Sequence, residues 1–399
     1  MVWHVDDLKI SHVNKRVVDD FISMMEKEFG KETPLSITHG TVHDYLGMIL
    51  DFSEKGKLRV DMVSYLLDVI ENAPEDMRGK AVTPATNFLF EVREDSPSLD
   101  KERAETFHHI TMQLLYLSQR GRPDIRPAIS FLCGRVQLPN EDDYDKLARV
   151  MKYLDDTKDL VLTLEADGSF NIYWWVDASF AVHPNMKSHT GGMLSLGEGC
   201  VYATSVRQKL VGRSSTEAEL IGVHDVLPQI LWTRHFMLKQ GWPVLDTFLY
   251  QDNTSAMLLE KNGRASSTKR TRHINLRYFY IKDRVDSKDI VIEHCPTKVM
   301  WGDFFTKPLQ GDLFRKMRDK VMNINPTSMY HSSNHRSVLR KQSRAATDED
   351  RQNRLKVKEM DPKVVVEQDP EKRVKWVTSD KEGQYTSAPG RSYVDVVKG

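Results

Sequence analysis

Cysteine is scarce in this sequence. Its 399 residues hold three, Cys133, Cys200 and Cys295, far apart and with no Cys-x-x-Cys pair. That leaves no zinc-finger framework and no disulfide scaffold, and it fits a reducing compartment. No apolar run approaches the ~20 residues that span a bilayer. The first residues, Met1–Val2–Trp3–His4–Val5–Asp6–Asp7, lack the basic start and apolar core of a signal peptide. A cytoplasmic or nuclear protein with no membrane partner is expected. Net charge is absent too: 57 basic residues balance 57 acidic ones. The chain as a whole therefore has no field to draw a polyanion, and any nucleic-acid surface must be local.

What is present suits a globular protein. With 40% hydrophobic and 29% charged residues the chain can bury a core, and its length allows one to three domains. In the first third, Val17, Val18, Phe21, Ile22, Met24, Met25 and Phe29 recur at helical spacing and predict a helix over 15–29. Tyr45–Leu50 and Lys57–Val60 read as two strands around a turn at Lys55–Gly56. A helix over 62–71 ends before Pro74. A Pro-, Asp- and Ser-rich loop over 81–100 precedes helices over 107–117 and 142–154.

The strongest stretch is Tyr173–Trp174–Trp175–Val176–Asp177, an aromatic and β-branched run that ends in a carboxylate. A hairpin follows, 191–196 and 200–205, around Gly197–Glu198–Gly199. A helix then starts at Ser214 or Ser215 and carries Leu220, Val223 and Leu227 on one face. Pro228 is expected to kink it or divide it in two. A strand over 247–250 delivers Asp252, a short helix covers 253–260, and a strand over 290–294 leads to Asp303. Three strands, helix, strand, helix, strand, helix is the order of an RNase H-like fold. The acidic order Asp177, Glu217, Asp252, Asp303 favours the ribonuclease branch of that fold over the integrase branch, where Glu comes last.

Carboxylates in such a set suit phosphodiester cleavage. Two divalent ions roughly 4 Å apart can activate a water and stabilise the leaving oxygen. Magnesium prefers hard oxygen ligands. Between Lys261 and Arg284 eight basic residues stand against one acid, with His273, Tyr278, Phe279 and Tyr280 interleaved. This stretch could grip a phosphate backbone; Phe279 and Tyr280 are expected to pack inward. From about Asn323 Ser, Asn and charged residues dominate, a composition that cannot bury a core and reads as a disordered tail over 323–399.

Several segments resemble copia-type LTR retrotransposon Pol polyproteins. His4–Val5–Asp6–Asp7 is similar to the Tyr-x-Asp-Asp box of reverse transcriptases, with His4 in place of Tyr. Leu114–Leu115–Tyr116–Leu117 with Arg122–Pro123–Asp124–Ile125, and Val150–Met151–Lys152–Tyr153–Leu154 with Thr157–Lys158, are similar to later signatures of that family. Ser188–His189–Thr190–Gly191–Gly192, Ser214–Ser215–Thr216–Glu217–Ala218–Glu219, Asp252–Asn253–Thr254–Ser255–Ala256 and Asp303–Phe304–Phe305–Thr306–Lys307–Pro308–Leu309 resemble the motifs of its RNase H domain. Gly302 stands where the family has Ala, read as a mild change.

The resemblance implies the C-terminal portion of a reverse transcriptase over 1–162, α+β palm end with thumb and connection, then an RNase H domain over 163–322 with a mixed five-stranded sheet. It implies Asp177, Glu217, Asp252 and Asp303 as catalytic ligands of two Mg2+ or Mn2+ ions, with Glu217 rather than Glu219 as the match. Asp6 and Asp7 would be a polymerase metal-site remnant. Ser214, Asn253, Lys269, Arg270, Arg272 and His273 are candidate nucleic-acid contacts. The expected activity is cleavage of the RNA strand of RNA–DNA hybrids, with polymerase activity lost because the partner Asp and the fingers are not in the sequence. Starting inside the box suggests a truncated element or a mis-set gene start, so the rest of the polymerase and an integrase are expected partners. The alternative expectation is an inactive or co-opted remnant that only binds nucleic acid.

Overall fold

The computed structural model describes residues 1–31, 34–263 and 275–324, with two short strands at Thr386–Ser387 and Arg391–Ser392; of 275–278 it describes the backbone alone. The chain forms two units, Met1–Met329 and Tyr330–Gly399. In the second unit the two short strands pair antiparallel. The expected tail otherwise lies outside the described residues.

The first unit opens on a hairpin, β1 (Val2–His4) and β2 (Asp7–Lys9). Helix α1 (Lys15–Phe29) has the bounds its apolar spacing predicts and starts at Asn14, whose side chain accepts from the Arg16 N–H. Three strands follow, β3 (Val42–Tyr45), β4 (Met48–Asp51) and β5 (Lys57–Asp61). The expected single strand over 45–50 is thus broken. Leu46 and Gly47 have φ of 53° and 68°, which turns the chain back on itself as a two-residue hairpin loop does. Helix α2 (Val63–Glu71) precedes the loop over 81–100. Then come α3 (Lys101–Arg120), longer at both ends than its apolar spacing indicates, α4 (Arg126–Cys133) and α5 (Glu141–Asp156). Asp100 caps α3 and Asn140 caps α5 in a reciprocal capping box with Asp143, so polar residues set both starts.

Two of the recurrent motifs meet in the interior of this part. The Arg122 guanidinium is fully buried and grips both oxygens of Asp124 at 2.9 and 2.8 Å. It also donates to the Thr157 carbonyl at 2.9 Å, and the Tyr153 hydroxyl donates to Asp124 at 2.7 Å. A buried charge is tolerable only when paired and hydrogen-bonded in this way. These motif residues are structural.

Next come β6 (Leu162–Ala166), β7 (Ile172–Ser179), β8 (His189–Ser195), β9 (Gly197–Glu198) and β10 (Tyr202–Arg207). The strand β6, which the sequence did not reveal, pairs antiparallel with β5, and β9 pairs with β6. They complete an antiparallel sheet of order β3-β4-β5-β6-β9. The remainder is α6 (Ser215–Lys239), β11 (Thr247–Gln251), α7 (Thr254–Asn262), α8 (Asn275–Asp286), β12 (Val291–His294) and α9 (Gly311–Met322). Pro228 lies inside α6 without dividing it. A proline removes one helical hydrogen bond, but buried Leu227 and Ile230 on either side anchor the helix to the core.

The second sheet has the order β10-β8-β7-β11-β12. Strands β7, β8 and β10 are antiparallel, and β11 and β12 run parallel to β7. This mixed five-stranded sheet with helices is the RNase H-like arrangement that the element order predicts. Ile172, Trp174 and Val176 of β7 join Leu220, Val223, Val226 and Leu227 of α6 in the core. The alternate residues Tyr173 and Trp175 stack on Phe248 and Tyr250 of β11 at 5.9 and 5.2 Å between ring centroids. Strand alternation puts Asp177 on that same side, at the end of the aromatic ladder.

Candidate metal centre and its neighbours

Four segments converge beyond the ends of β7 and β11. Strand β7 carries Asp177, whose cross-strand partner is Gly191 of β8. A Cβ on Gly191 would lie 2.6 Å from Thr306 Cγ2 and 2.8 Å from the Gly302 carbonyl oxygen. Only glycine lets the 3-10 turn Trp301–Phe305 dock there, and that turn brings Asp303. A Cβ on Gly302 would in turn stand 3.0 Å from both Asp177 Cβ and Asp177 N. The glycine at 302 therefore gives Asp177 room that an alanine would take. Asp252 follows β11, and Asn253 caps α7 by accepting from the Ala256 N–H at 3.1 Å.

Asp177, Glu219 and Asp252 each present an oxygen within 4.8 Å of the other two, the one such group of potential metal ligands among the described residues. Glu217, the expected glutamate, is not in it. Its Oε2 accepts from the Arg213 N–H at 2.8 Å, and its own N–H donates to Ser214 Oγ at 3.2 Å. Ser-x-x-Glu at a helix start is a capping pattern. It ties Glu217 to the helix end, and two residues on the helix turns Glu219 the other way. The capping signature in Ser214–Ser215–Thr216–Glu217 was the signal that could have identified Glu219.

Hydrogen bonds aim the other carboxylates. The buried Thr306 hydroxyl donates to Asp177 Oδ2. Thr297 Oγ1 donates to Asp252 Oδ2 at 3.0 Å. Behind them Glu260 of α7 is buried, and the Gln251 amide, with its nitrogen turned inward, donates to it at 2.8 and 3.2 Å. Burial pushes the Glu260 carboxyl up to about 8. Asp303 sits beside the cluster. Lys307 Nζ is 2.7 Å from Asp303 Oδ1 and 3.6 Å from Asp177 Oδ2. Neither Lys307 nor the two threonines was singled out in the sequence, although a Lys four residues after an Asp is a pairing spacing.

Electrostatics mark the cluster as short of positive charge. Burial first, and then Asp177 and Asp252, hold the Glu219 carboxyl well above the usual carboxylate range, against the pull of Lys307. Burial and then Asp177 push Asp303 up to about 7. For Lys307 burial disfavours the charge, but Asp177 and Asp303 outweigh it and raise its pKa. Crowded carboxylates that protonate when alone are the donor set a hard divalent cation stabilises. The residues fit such an ion.

The other candidates fall elsewhere. Asp6 and Asp7 are exposed on the β1–β2 hairpin and belong to no such ligand group. Lys269, Arg270, Arg272 and His273 lie outside the described residues. Of the nearby basic residues, Lys282 pairs with Asp286, and Arg284 with Asp283 and Asp289. Phe279 and Tyr280 are 42% and 38% exposed, not packed inward; Ile281 is the buried member of that turn. His294 ends β12, and Cys295 points its thiol at the Val299 carbonyl, 3.3 Å away.

No protein-family model matches the chain. Curated relatives do. The retrovirus-related Pol polyprotein from transposon TNT 1-94 of Nicotiana tabacum is 24% identical over 327 residues, 80% of this chain and 24% of that protein. The one from transposon RE2 of Arabidopsis thaliana is 26% identical over 324 residues, 80% of this chain and 21% of that protein. The transposon Ty1-LR3 Gag-Pol polyprotein of Saccharomyces cerevisiae is 20% identical over 288 residues, 70% of this chain and 16% of that protein. The homologues of this chain are copia-type Pol polyproteins.

The chain spans a quarter or less of the length of these copia-type relatives. Solved structures with some likeness include RNase H1 from the archaeon Halobacterium salinarum NRC-1, with TM-score 0.23 and 14% identity over 33% of this chain and 90% of that one. Another is the foamy viral protease-reverse transcriptase in complex with RNA/DNA hybrid, with TM-score 0.39 and 9% identity over 80% of this chain and 36% of that one. The segments that resemble copia-type motifs divide by role in this chain. Arg122–Pro123–Asp124 and Thr157 hold the interior, whereas the motifs around Glu219, Asp252 and Asp303 surround the carboxylate cluster. Among the described residues no helix is long and apolar enough to cross a membrane.

Proposed function

We propose that residues 163–322 act as a ribonuclease H that cleaves the RNA strand of an RNA–DNA hybrid with Mg2+ or Mn2+, attached to a C-terminal reverse transcriptase portion over 1–162. The observation that carries this reading is the meeting of Asp177, Glu219 and Asp252 within 4.8 Å. These three would hold an ion, and Asp177 with Asp303 would hold a second. Divalent ions at such a site supply Lewis acidity at the phosphate and favour deprotonated water. Thr306 and Thr297 fix one oxygen each of Asp177 and Asp252. Asp303, with its carboxyl near neutral pKa, can hold or release a proton beside the scissile phosphate.

The hybrid offers 2′-hydroxyls on one strand only, which is how a protein tells it from duplex DNA. Ser214 and Asn253 cap the helices that flank the cluster, and we assign them, with Lys269, Arg270, Arg272 and His273, to contact with the nucleic acid. Upstream polymerase and integrase parts of a polyprotein are the proposed protein partners. The test is a labelled hybrid on a denaturing gel with the full chain. Magnesium- or manganese-dependent cutting of RNA, with duplex DNA spared, supports the reading. Binding without cutting would favour a nucleic-acid-binding module instead.

A further inference from the structure

Four carboxylates surround the centre, but one built-in cation stands among them. Lys307 Nζ lies 2.7 Å from Asp303 Oδ1 and 3.6 Å from Asp177 Oδ2. Those are the two residues that would share a second ion. The ammonium is held there from two directions. Its backbone N–H donates to the Asp303 carbonyl at 3.1 Å, and Thr306, its chain neighbour, is locked to Asp177 Oδ2. On the opposite side of Asp177, neither Glu219 nor Asp252 has an ammonium or guanidinium within ion-pair distance among the described residues. Asp177 belongs to both halves, and its Oδ2 is taken by Thr306 and Lys307.

We infer that Lys307 occupies the Asp177–Asp303 half of the centre as an internal cation, so that the free protein binds one divalent ion, at Asp177, Glu219 and Asp252. An ammonium and a divalent ion on the same two oxygens repel strongly in a partly buried site. Ammonium offers no lone pair, so it cannot share the ion; it must leave. The Lys307 side chain is 42% exposed, so it has solvent to swing into when an anionic phosphate competes for it. This inference rests on the proposed metal-dependent function and adds which half is free.

The experiment counts ions. Mn2+ is titrated into the full chain and free Mn2+ is read by electron paramagnetic resonance, with folding followed by melting temperature. The wild type should bind one Mn2+. Lys307→Met should bind two, with the second tighter than any second site of the wild type by about tenfold or more. Lys307→Arg keeps the charge and should again bind one, which guards against a general loosening of the site. Two ions in the wild type, or one unchanged ion in Lys307→Met, would overturn the inference while leaving the metal site in place. No Mn2+ bound by any of the three would remove the proposed function as well.

Discussion

Replacing Glu219 by glutamine takes one negative charge out of the cluster and leaves its shape. At the 4.8 Å that bounds the group, two full carboxylate charges repel by about 3 kcal/mol at an effective dielectric of about 20. Burial, Asp177 and Asp252 raise the pKa of Glu219, so its charged form is disfavoured and part of this repulsion is avoided. The relief is then about 1–2 kcal/mol, or a rise in melting temperature of about 2–6 °C in chelator at pH 8. The pH dependence has a definite sign. An acid whose pKa is higher folded than unfolded binds extra protons when folded, so its contribution to stability falls as pH rises from its ordinary 4.5 toward the raised value. The gain from Glu219→Gln should therefore shrink at pH 5. Magnesium reverses the order: at 100 times its dissociation constant it should stabilise the wild type by about 2.7 kcal/mol and the variant far less. Glu217→Gln should lose about 1 kcal/mol or less with its helix-start contact and keep the magnesium response. The assay is a melting curve for each protein with chelator and with magnesium. A normal magnesium shift in Glu219→Gln, or a lost one in Glu217→Gln, would refute the placement of Glu219.

His189 accepts or donates at 3.0 Å with His183 and 2.8 Å with Ser205, and burial lowers it to about 3 and His183 to about 4. The stability this pair contributes is present above 6.5 and is lost as pH falls through the lowered values, so in chelator His189→Gln should lose less melting temperature than wild type between pH 7 and pH 4. Gly191→Ala puts a methyl 2.8 Å from backbone atoms of Gly302 and Phe305; it should cost about 1–3 kcal/mol in denaturant titration and slow hybrid cleavage by displacing Asp303. The purified chain should incorporate no nucleotide on a primed template, because Asp6 and Asp7 join no further carboxylate among the described residues; measurable extension contradicts that.

Much of the RNase H-like sheet was legible because its strands carry period-two and aromatic runs, with Asp177 late in one and Asp252 just after another. Local patterns with one strong signal, such as α1 and the start of α6, also read directly. The failures share a cause: a nonlocal or unusual backbone choice that leaves no composition signal. Leu46 in the left-handed region makes a turn where Asn–Gly would have announced one. Strand β6 is short and takes its place by pairing with β9 and with β5, about a hundred residues earlier. Pro228 reads as a breaker, yet packing at Leu227 and Ile230 holds the helix through it. Glu217 and Glu219 are equally acidic in the sequence, and only the helix start, with Ser214 as its cap, tells them apart. Lys307 looked like part of a motif, but its reach to both Asp177 and Asp303 depends on the turn that Gly191 admits.

Single-turnover cleavage of a labelled RNA–DNA hybrid by the full chain, wild type beside Asp252→Asn, bears most directly on the central claim. The substitution nearly preserves shape and removes one ligand charge. The wild type should cut the RNA strand in magnesium or manganese and leave 3′-hydroxyl ends, and Asp252→Asn should be slower by about a hundredfold or more with hybrid affinity little changed. Equal rates in the two proteins, or firm hybrid binding by the wild type with no cleavage in either metal, would contradict it.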